Sequence, residues 1–256
     1  MCGIFAYIGT KNDAANIVLE GLKRLEYRGY DSWGISVKSG NKFLLEKHVG
    51  KIGTAHTILP RSNFGIGHTR WATHGGVTDL NAHPHLDCSK KISVIHNGIV
   101  ENSEKIKKDL FKKNHKFISE TDTEVISHLI EENKKNNSFE AAVKKSFKEI
   151  SGLNAIVVAD SESNEIIAAK NGSPLIVGKG NDEYFVASDA SALIPYTRSL
   201  LFVEDDMLIA INKQLKVVSL KSDKVIKPKF EKIDWEIEEA SMRAYKQFMI
   251  KELQEP

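Results

Sequence analysis

The second residue of the chain is a cysteine, in the opening run Met1-Cys2-Gly3-Ile4-Phe5. Methionine ahead of a small residue is usually removed, and Cys2 would then carry a thiol and a free α-amine on one carbon. An α-amine titrates near about 7.7–8.0, so much of it is neutral and can accept the thiol proton. Such a residue is a nucleophile with its own base. The structural alternative is a buried thiol in a first strand, because free cysteine packs like a small hydrophobic residue.

Further polar, charged and glycine residues gather where predicted strands and helices end. Loops that converge at such ends often form binding sites, because a rigid scaffold positions them. The segments are residues 27–32, 68–75, 81–85, 96–98 and 120–124.

The residue types in these segments match the needs of side-chain amide hydrolysis. A thiolate attacks the carboxamide carbon, and each donor to the growing oxyanion is commonly worth about 3 kcal/mol. Asn97 offers a side-chain NH2 group, and Gly98 offers a backbone N–H that no side chain obstructs. Arg70 suits a substrate α-carboxylate, since a guanidinium binds it with two hydrogen bonds. Asp122 suits an α-ammonium, and both anchors would orient the amide toward the thiol.

Each of these residues also has a structural interpretation. Arg70 could be an ordinary surface ion-pair partner, and Asn97-Gly98 is a strong hairpin-turn signal. Asp122 could stabilise a helix N-terminus through the helix dipole, and Gly29 could end a helix in the left-handed conformation. Trp71 is harder to explain structurally, because an exposed indole in a polar loop usually covers something.

Five histidines lie between positions 68 and 96, which raises the question of zinc. They are His68, His74, His83, His85 and His96. No His-x-x-x-His pair falls on a predicted helix, and Cys88 has no cysteine nearby. We therefore expect hydrogen bonds that organise loops, no metal site and no cofactor.

Composition limits the classes of function. The 256 residues are 41% hydrophobic, and 36 basic against 34 acidic side chains give a net charge of +2. This balance predicts neither a nucleic-acid nor a membrane surface. The two cysteines exclude a disulfide framework, and no apolar run approaches the roughly 18 residues of a membrane span. With no signal peptide, we expect a soluble cytoplasmic protein.

Hydrophobic periodicity predicts two runs of strands on either side of a helical block, which is typical of one layered α+β domain. Helices are predicted from Asn12 or Asp13, over 102–113, from Thr121 and over 139–150. Thr121 and Glu124 have the spacing of a capping box. The predicted strands are 3–9, 34–37, 43–47, 64–69, 92–96, 154–159, 165–169, 175–178, 184–187, 201–204, 207–212 and 217–220.

The opening Cys2-Gly3-Ile4 resembles the N-terminal-nucleophile, or class II, glutamine amidotransferases. Longer strings resemble one branch of them, the glutamine–fructose-6-phosphate aminotransferases or glucosamine-6-phosphate synthases. These strings are residues 25–32, 68–75, 81–85, 96–102 and 119–126, and similar motifs continue at 172–175 and 187–189. The resemblance implies a four-layer αββα sandwich and L-glutamine as substrate.

The resemblance also implies roles for individual residues. Cys2 would be the nucleophile, with Asn97 and Gly98 as the oxyanion hole. Ala6 and Trp33 depart from the family pattern, and Trp33 could crowd its strand. The glutamine site would comprise Arg70, Trp71, Thr73, His74 and Asp122, within or beside a loop that closes over substrate, with Arg28 and His83 in support or coupling.

Within this family, residues 1–240 would form the glutaminase domain and 241–256 the start of a connector to a sugar isomerase region. Ammonia released from glutamine would there aminate fructose 6-phosphate to glucosamine 6-phosphate, and the resemblance also raises a homodimer of the full-length enzyme as an expectation. Two other classes remain open: a non-catalytic glutamine sensor, and a zinc-dependent amidohydrolase.

Overall fold

The architecture is that of a computed structural model, which describes residues 2–234. The helices are α1 Ala14–Arg24, α2 Ser103–Phe111, α3 Glu124–Lys134 and α4 Phe139–Glu149, with 3₁₀ turns at Glu26–Arg28 and Ala190–Ala192. The first strands are β1 Gly3–Ile8, β2 Ser32–Ser39, β3 Lys42–Val49, β4 Phe64–Arg70, β5 His85–Leu86 and β6 Ile92–Gly98. The later strands are β7 Asn154–Asp160, β8 Glu165–Lys170, β9 Ile176–Lys179, β10 Tyr184–Ala187, β11 Ser199–Phe202, β12 Met207–Ile211, β13 Leu215–Ser219, β14 Val225–Ile226 and β15 Glu231–Lys232.

These strands form two antiparallel sheets. One has the order β15-β11-β9-β10-β1-β4-β2-β3, and the other has the order β14-β13-β12-β8-β7-β6-β5. In the first sheet β1 lies between β10 and β4, with Gly3 opposite Thr69. Cys2 therefore lies beside the end of β4, where Arg70 and the following loop begin.

Three apolar clusters separate four layers. Ile4, Ile66 and Val157 belong to the cluster between the two sheets. On the outer face of the first sheet, Phe5 packs with Val18 of α1, and α3 and α4 cover the outer face of the second. The α+β prediction of an αββα sandwich is confirmed.

Close packing of α1 explains a glycine in its interior. A Cβ at Gly21 would lie 2.4 Å from Cδ2 of Phe5, so no larger residue fits while the helix keeps this approach. Leu22 and Leu25 are fully buried on the same side. Gly21 therefore brings α1 close to the strand that begins at the nucleophile.

The predicted capping box at Thr121 is wrong. Helix α3 begins at Glu124, with Thr123 as its N-cap residue. The Glu124 carboxylate instead accepts hydrogen bonds from the backbone N–H groups of Ile118 (2.9 Å) and Ser119 (2.7 Å). A buried carboxylate needs several donors, and the turn before the helix supplies them more completely than one cap residue would.

The departures at Ala6 and Trp33 are accommodated. Ala6 is fully buried between the sheets, and Trp33 is 3% exposed on the other face. The Trp33 ring lies 4.6 Å from that of His48 on the neighbouring strand. The indole thus packs within its own sheet layer.

Among the described residues, no helix is both long and apolar enough to cross a membrane. The predicted connector, 241–256, lies outside the described residues.

Candidate active site

Three segments converge on Cys2. The backbone N–H of Trp71 donates to Cys2 Sγ at 3.2 Å, and the sulfur lies 3.5 Å from the Trp71 carbonyl. The Cys2 carbonyl accepts from Arg28 Nε at 3.1 Å and from Asn97 Nδ2 at 3.0 Å. Cys2 is therefore held through both its sulfur and its carbonyl oxygen.

The surroundings of the Cys2 thiol oppose its ionisation. Burial raises its pKa, against the lowering effects of the Trp71 N–H and of the positive charges of Arg70 and Arg28. A thiol with a raised pKa needs a base to become nucleophilic.

Asn97 occupies the centre of a buried hydrogen-bond chain. Its Oδ1 lies 3.0 Å from His68 Nε2, and its Nδ2 donates to Ser188 Oγ at 3.1 Å as well as to Cys2. Ser188 Oγ in turn accepts from the Ile4 N–H at 2.8 Å. Ser188 was not predicted as a site residue, although its Ala-Ser-Asp motif was noted in the sequence.

Asn97 and Gly98 end β6 and do not form a hairpin turn. Gly98 has φ of +134°, and a Cβ there would lie 2.3 Å from the Leu153 carbonyl oxygen. Only glycine fits this conformation and this approach. The Gly98 backbone lines the same cleft as Cys2.

Arg70 is 3% exposed, and its guanidinium holds the loop that follows it. It donates to the carbonyls of His74, Gly75 (3.3 Å) and Gly76 (3.1 Å). Asn81 supports the same loop through its side-chain NH2, which donates to the Gly76 carbonyl at 3.0 Å. The predicted carboxylate binder therefore also anchors the predicted closing loop.

Glu120 fixes the far end of this loop. Its Oε2 accepts from Asn81 Nδ2 at 3.0 Å and from the Gly76 N–H at 3.3 Å, while its own N–H donates to Asn81 Oδ1 at 2.9 Å. Neither Asn81 nor Glu120 had a predicted role of its own, although both lie in the motifs at 81–85 and 120–124. The pair closes the loop against the segment that carries Asp122.

The motif at 27–32 supports the loop from the other side. Asp31 Oδ2 accepts from the Ala72 N–H at 2.9 Å, and the Tyr30 and Trp71 rings lie 5.3 Å apart. Gly29 is extended, with φ of −169°, so the left-handed helix end is wrong. A Cβ at Gly29 would lie 2.7 Å from the Arg70 carbonyl carbon, so glycine is needed here for close approach.

The cleft at Cys2 is narrow. Asp122 faces it and accepts from the Val100 N–H at 2.7 Å. The free volume of the cleft, about 20 Å³, holds roughly one water molecule, so a larger ligand could enter only if the lining residues moved. The cleft is lined by Cys2, Arg70, Trp71, Thr73, His74, His83, His96, Gly98, Thr121, Asp122 and Thr123. Two predicted site residues, Arg28 and Asn97, do not line the cleft and instead bind the Cys2 carbonyl.

A larger cleft, of about 480 Å³, lies beside β13 and β14. Its polar lining includes Glu140, Glu165 and Lys216, without a cysteine or histidine. The groups suited to amide chemistry are thus in the smaller cleft.

Buried neutral histidines connect the site to both sheets. Burial lowers the pKa of His68 to about 3, and the pKa values of His83 and His85 lie well below the ordinary value. His85 Nε2 lies 3.0 Å from Thr121 Oγ1, and His96 Nδ1 lies 2.9 Å from Thr123 Oγ1. These contacts agree with the expectation that the histidines organise loops.

The buried histidines predict a stability that is lost in acid. In the unfolded chain each imidazole gains a proton near pH 6.5, whereas in the folded chain His68 gains one only near 3. The unfolded state thus binds more protons, and each such histidine lowers the free energy of unfolding by about 1.4 kcal/mol per pH unit below 6.5. Urea unfolding between about pH 7 and pH 5 measures this. In His85→Gln, we expect the free energy of unfolding to fall less steeply with decreasing pH, by the equivalent of about one proton. Equal pH dependence in the variant and the wild type would contradict the assignment of His85 as a buried neutral histidine.

A family model described as glutamine amidotransferase domain matches residues 68–195. The chain is 42% identical over 260 residues to glutamine–fructose-6-phosphate aminotransferase (isomerizing) of Thermus thermophilus. The match covers 100% of this chain and 42% of that protein. It is 44% identical over 261 residues to the protein of the same name from Pyrococcus horikoshii, covering 99% of this chain and 43% of that protein. The chain thus spans about two fifths of the length of these relatives.

Solved structures share the fold. Glutamine phosphoribosylpyrophosphate amidotransferase from B. subtilis, complexed with ADP and GMP, matches with a TM-score of 0.75 and 27% identity, over 88% of this chain and 50% of that one. A glutamine aminotransferase class-II domain protein from silicibacter pomeroyi matches with a TM-score of 0.58 and 14% identity, over 85% of this chain and 99% of that one. The second likeness concerns the fold alone.

Proposed function

Because the chain belongs to the class II glutamine amidotransferases, we propose that it hydrolyses L-glutamine to L-glutamate and ammonia with Cys2 as the nucleophile. The observation that carries this proposal is the meeting of Cys2, Arg70, Gly98 and Asp122 in one cleft, with Asn97 bonded to the Cys2 carbonyl. A thiol, an oxyanion donor and two charged anchors are what the reaction requires.

The chemistry begins with the α-amine that removal of Met1 exposes. It takes the Cys2 thiol proton, and the thiolate attacks the carboxamide carbon of glutamine. The oxyanion is stabilised by the Gly98 N–H and by Asn97, whose NH2 must give up one of its present acceptors, Cys2 O or Ser188 Oγ. The α-ammonium group returns its proton to the amide nitrogen of the tetrahedral species, the C–N bond breaks, and the nitrogen leaves as ammonia. Water then hydrolyses the glutamyl thioester to glutamate and regenerates the thiol.

Substrate binding uses the two charged anchors. The Arg70 guanidinium binds the α-carboxylate, and it does so in place of some of its contacts to the loop carbonyls. Asp122 binds the α-ammonium. Closure of the loop 71–81 then excludes water from the cleft and couples binding to orientation.

Substitutions of these anchors are expected to weaken binding. Arg70→Lys keeps the charge and loses the planar fork, and Asp122→Asn loses the charge. A lost charged hydrogen bond is worth about 1.5–3 kcal/mol, so KM should rise roughly 10- to 100-fold with a smaller change in kcat. Steady-state kinetics measure KM and kcat separately for each variant. Arg61→Lys and Asp109→Asn, on exposed side chains, are the controls, and an unchanged KM in both anchor variants would contradict the assignment.

Asn97→Ala should instead lower kcat, by about 100- to 1000-fold, because the oxyanion exists only near the transition state. Ser188→Ala is the matched control, since it removes one acceptor of Asn97 without removing an oxyanion donor. We expect a much smaller loss of kcat in Ser188→Ala. Equal losses, or a change in KM alone for Asn97→Ala, would place the oxyanion hole elsewhere.

We further propose that this chain is the glutaminase part of a longer cytoplasmic enzyme, in which a sugar isomerase region uses the ammonia to convert fructose 6-phosphate to glucosamine 6-phosphate. The names and lengths of the relatives support this. After Glu204 the sequence has no glycine-rich phosphate loop followed by a helix. We also propose a homodimer for that enzyme.

Incubation of this chain with glutamine and fructose 6-phosphate tests the division of labour. We expect glutamate and ammonia without amino sugar. Amino sugar made by this polypeptide alone would show that the acceptor site lies within its 256 residues.

A further inference from the structure

A second group of reactive side chains lies outside the Cys2 cleft. Cys88 is in the turn between β5 and β6, His115 follows α2, and His128 and Glu131 are one turn apart on α3. One ligand atom from each lies within 4.8 Å of every other. Cys88 is exposed, His115 and His128 are buried, and Glu131 is partly buried. None of the four lines the cleft that contains Cys2.

The distances within this group suit a tetrahedral ion. Cys88 Sγ lies 3.5 Å from His128 Nδ1 and 3.9 Å from His115 Nδ1. Glu131 Oε2 lies 3.0 Å from His115 Nδ1 and 3.3 Å from His128 Nδ1. Ligand atoms about 2.0–2.3 Å from a tetrahedral zinc are separated by roughly 3.3–3.6 Å. Small movements of these atoms would therefore complete the coordination.

Each imidazole also has a carboxylate behind it. His115 Nε2 lies 3.2 Å from Glu132 Oε2, and His128 Nε2 lies 3.6 Å from Glu124 Oε1. Metal-bound histidines almost always donate the other ring N–H to such an acceptor, which fixes the ring and its tautomer. His115 has that hydrogen bond, and His128 has the carboxylate slightly beyond hydrogen-bond distance of its Nε2.

The ring nitrogens of His115 and His128 have more carboxylate neighbours than a neutral imidazole can donate to. Both nitrogens of each buried imidazole face a carboxylate oxygen. A neutral imidazole has one N–H and satisfies one of these contacts, whereas a protonated imidazole satisfies both. His128 Nε2 has no hydrogen-bond partner within normal distance. A metal ion among the four inner atoms is the alternative to protonation that also uses the Cys88 thiol: each Nδ1 binds the ion, and each Nε2–H points to its carboxylate.

We propose that Cys88, His115, His128 and Glu131 bind one Zn²⁺ ion. Thiolate and imidazole ligands in a tetrahedral set favour zinc over magnesium or calcium. Four protein ligands close the coordination sphere, which makes the site structural, and the ion joins the β5–β6 turn and the segment after α2 to α3. The expectation of no metal rested on the histidines between 68 and 96 and on the lack of a second cysteine near Cys88. The proposal does not depend on glutaminase activity.

Metal content tests this directly. The chain is purified, dialysed against metal-free buffer and analysed by inductively coupled plasma mass spectrometry. We expect about one zinc per chain in the wild type and in Cys2→Ala, and almost none in Cys88→Ser or His128→Asn. Cys2→Ala matters because an N-terminal cysteine is itself a chelator. Zinc well below one per chain in the wild type, or zinc lost in Cys2→Ala and kept in Cys88→Ser, would overturn the proposal. Cys88 is exposed, so its serine variant should fold.

The outer carboxylates give a second test. Glu132→Gln should weaken zinc binding about 10- to 100-fold in competition with a chromogenic chelator. Glu140→Gln is the matched control, because Glu140 is a partly exposed helical glutamate paired with Lys216. A chelator should also lower the Tm of the wild type and leave that of Cys88→Ser unchanged. Equal zinc affinity in the two glutamine variants, or equal chelator responses, would show that these side chains only pair with one another.

Discussion

Cys2→Ala should abolish the release of glutamate and ammonia from glutamine and leave the fold intact. The thiol is the atom that attacks the substrate, and no other described group in the cleft is a comparable nucleophile. The fold should survive because the Cys2 backbone carbonyl, which Arg28 and Asn97 bind, is unchanged. Coupled assays of glutamate and ammonia, with thermal unfolding of each variant, give the comparison.

Two companion measurements sharpen this prediction. Cys2→Ser should be nearly inactive, because a hydroxyl is far harder to deprotonate than a thiol by an amine of ordinary basicity. Cys2→Ala should still bind glutamine in calorimetry, since Arg70 and Asp122 remain. Binding with full loss of turnover separates an enzyme from a glutamine sensor. Substantial turnover in folded Cys2→Ala would end the assignment of the nucleophile.

Any residue left ahead of Cys2 should also abolish activity. An added residue converts the α-amine into an amide, which is not a base, and the raised pKa of the buried Cys2 thiol then leaves it protonated. The extension also has to fit a cleft with room for about one water molecule. We expect an N-terminally tagged chain to be inactive until a protease exposes Cys2.

The controls for the tag experiment are close matches. The same tag at the C-terminus should be tolerated, and cleavage that leaves one glycine ahead of Cys2 should restore nothing. Mass spectrometry of each sample confirms the first residue. Normal turnover by the uncleaved N-terminal fusion would require a base other than the α-amine.

The sequence predicted the strands well because alternation and short apolar runs are local signals. Residues 92–96 and 154–159 were both predicted, and they pair as β6 and β7. The start of α3 was wrong, since Glu124 takes its donors from residues 118 and 119 and not from Thr121. Which N–H groups donate to a buried carboxylate depends on the groups that are buried with it, and residue spacing alone does not predict this.

The cleft was predicted largely from motifs, and what was missed comes from distant parts of the chain. Ser188 reaches Asn97 across 91 positions, and Cys88 reaches His128 across 40. Arg70 donates to backbone carbonyls only a few positions later in the chain. These contacts were not predicted, because the guanidinium group indicated a bond to a substrate carboxylate instead. The proposed zinc site had one signal in the sequence: His128 has Glu124 four positions earlier and Glu131 three positions later, which places all three on one face of a helix.

The most direct test of the central claim is covalent labelling by a glutamine analogue with an electrophilic carbon in place of the carboxamide. Mass spectrometry of the intact chain and of its peptides locates the adduct. We predict one adduct per chain, on the Cys2 sulfur, formed in proportion to the loss of glutaminase activity and prevented by glutamine. An adduct on Cys88 that tracks the loss of activity, or full activity in a chain whose Cys2 is modified, would contradict the account.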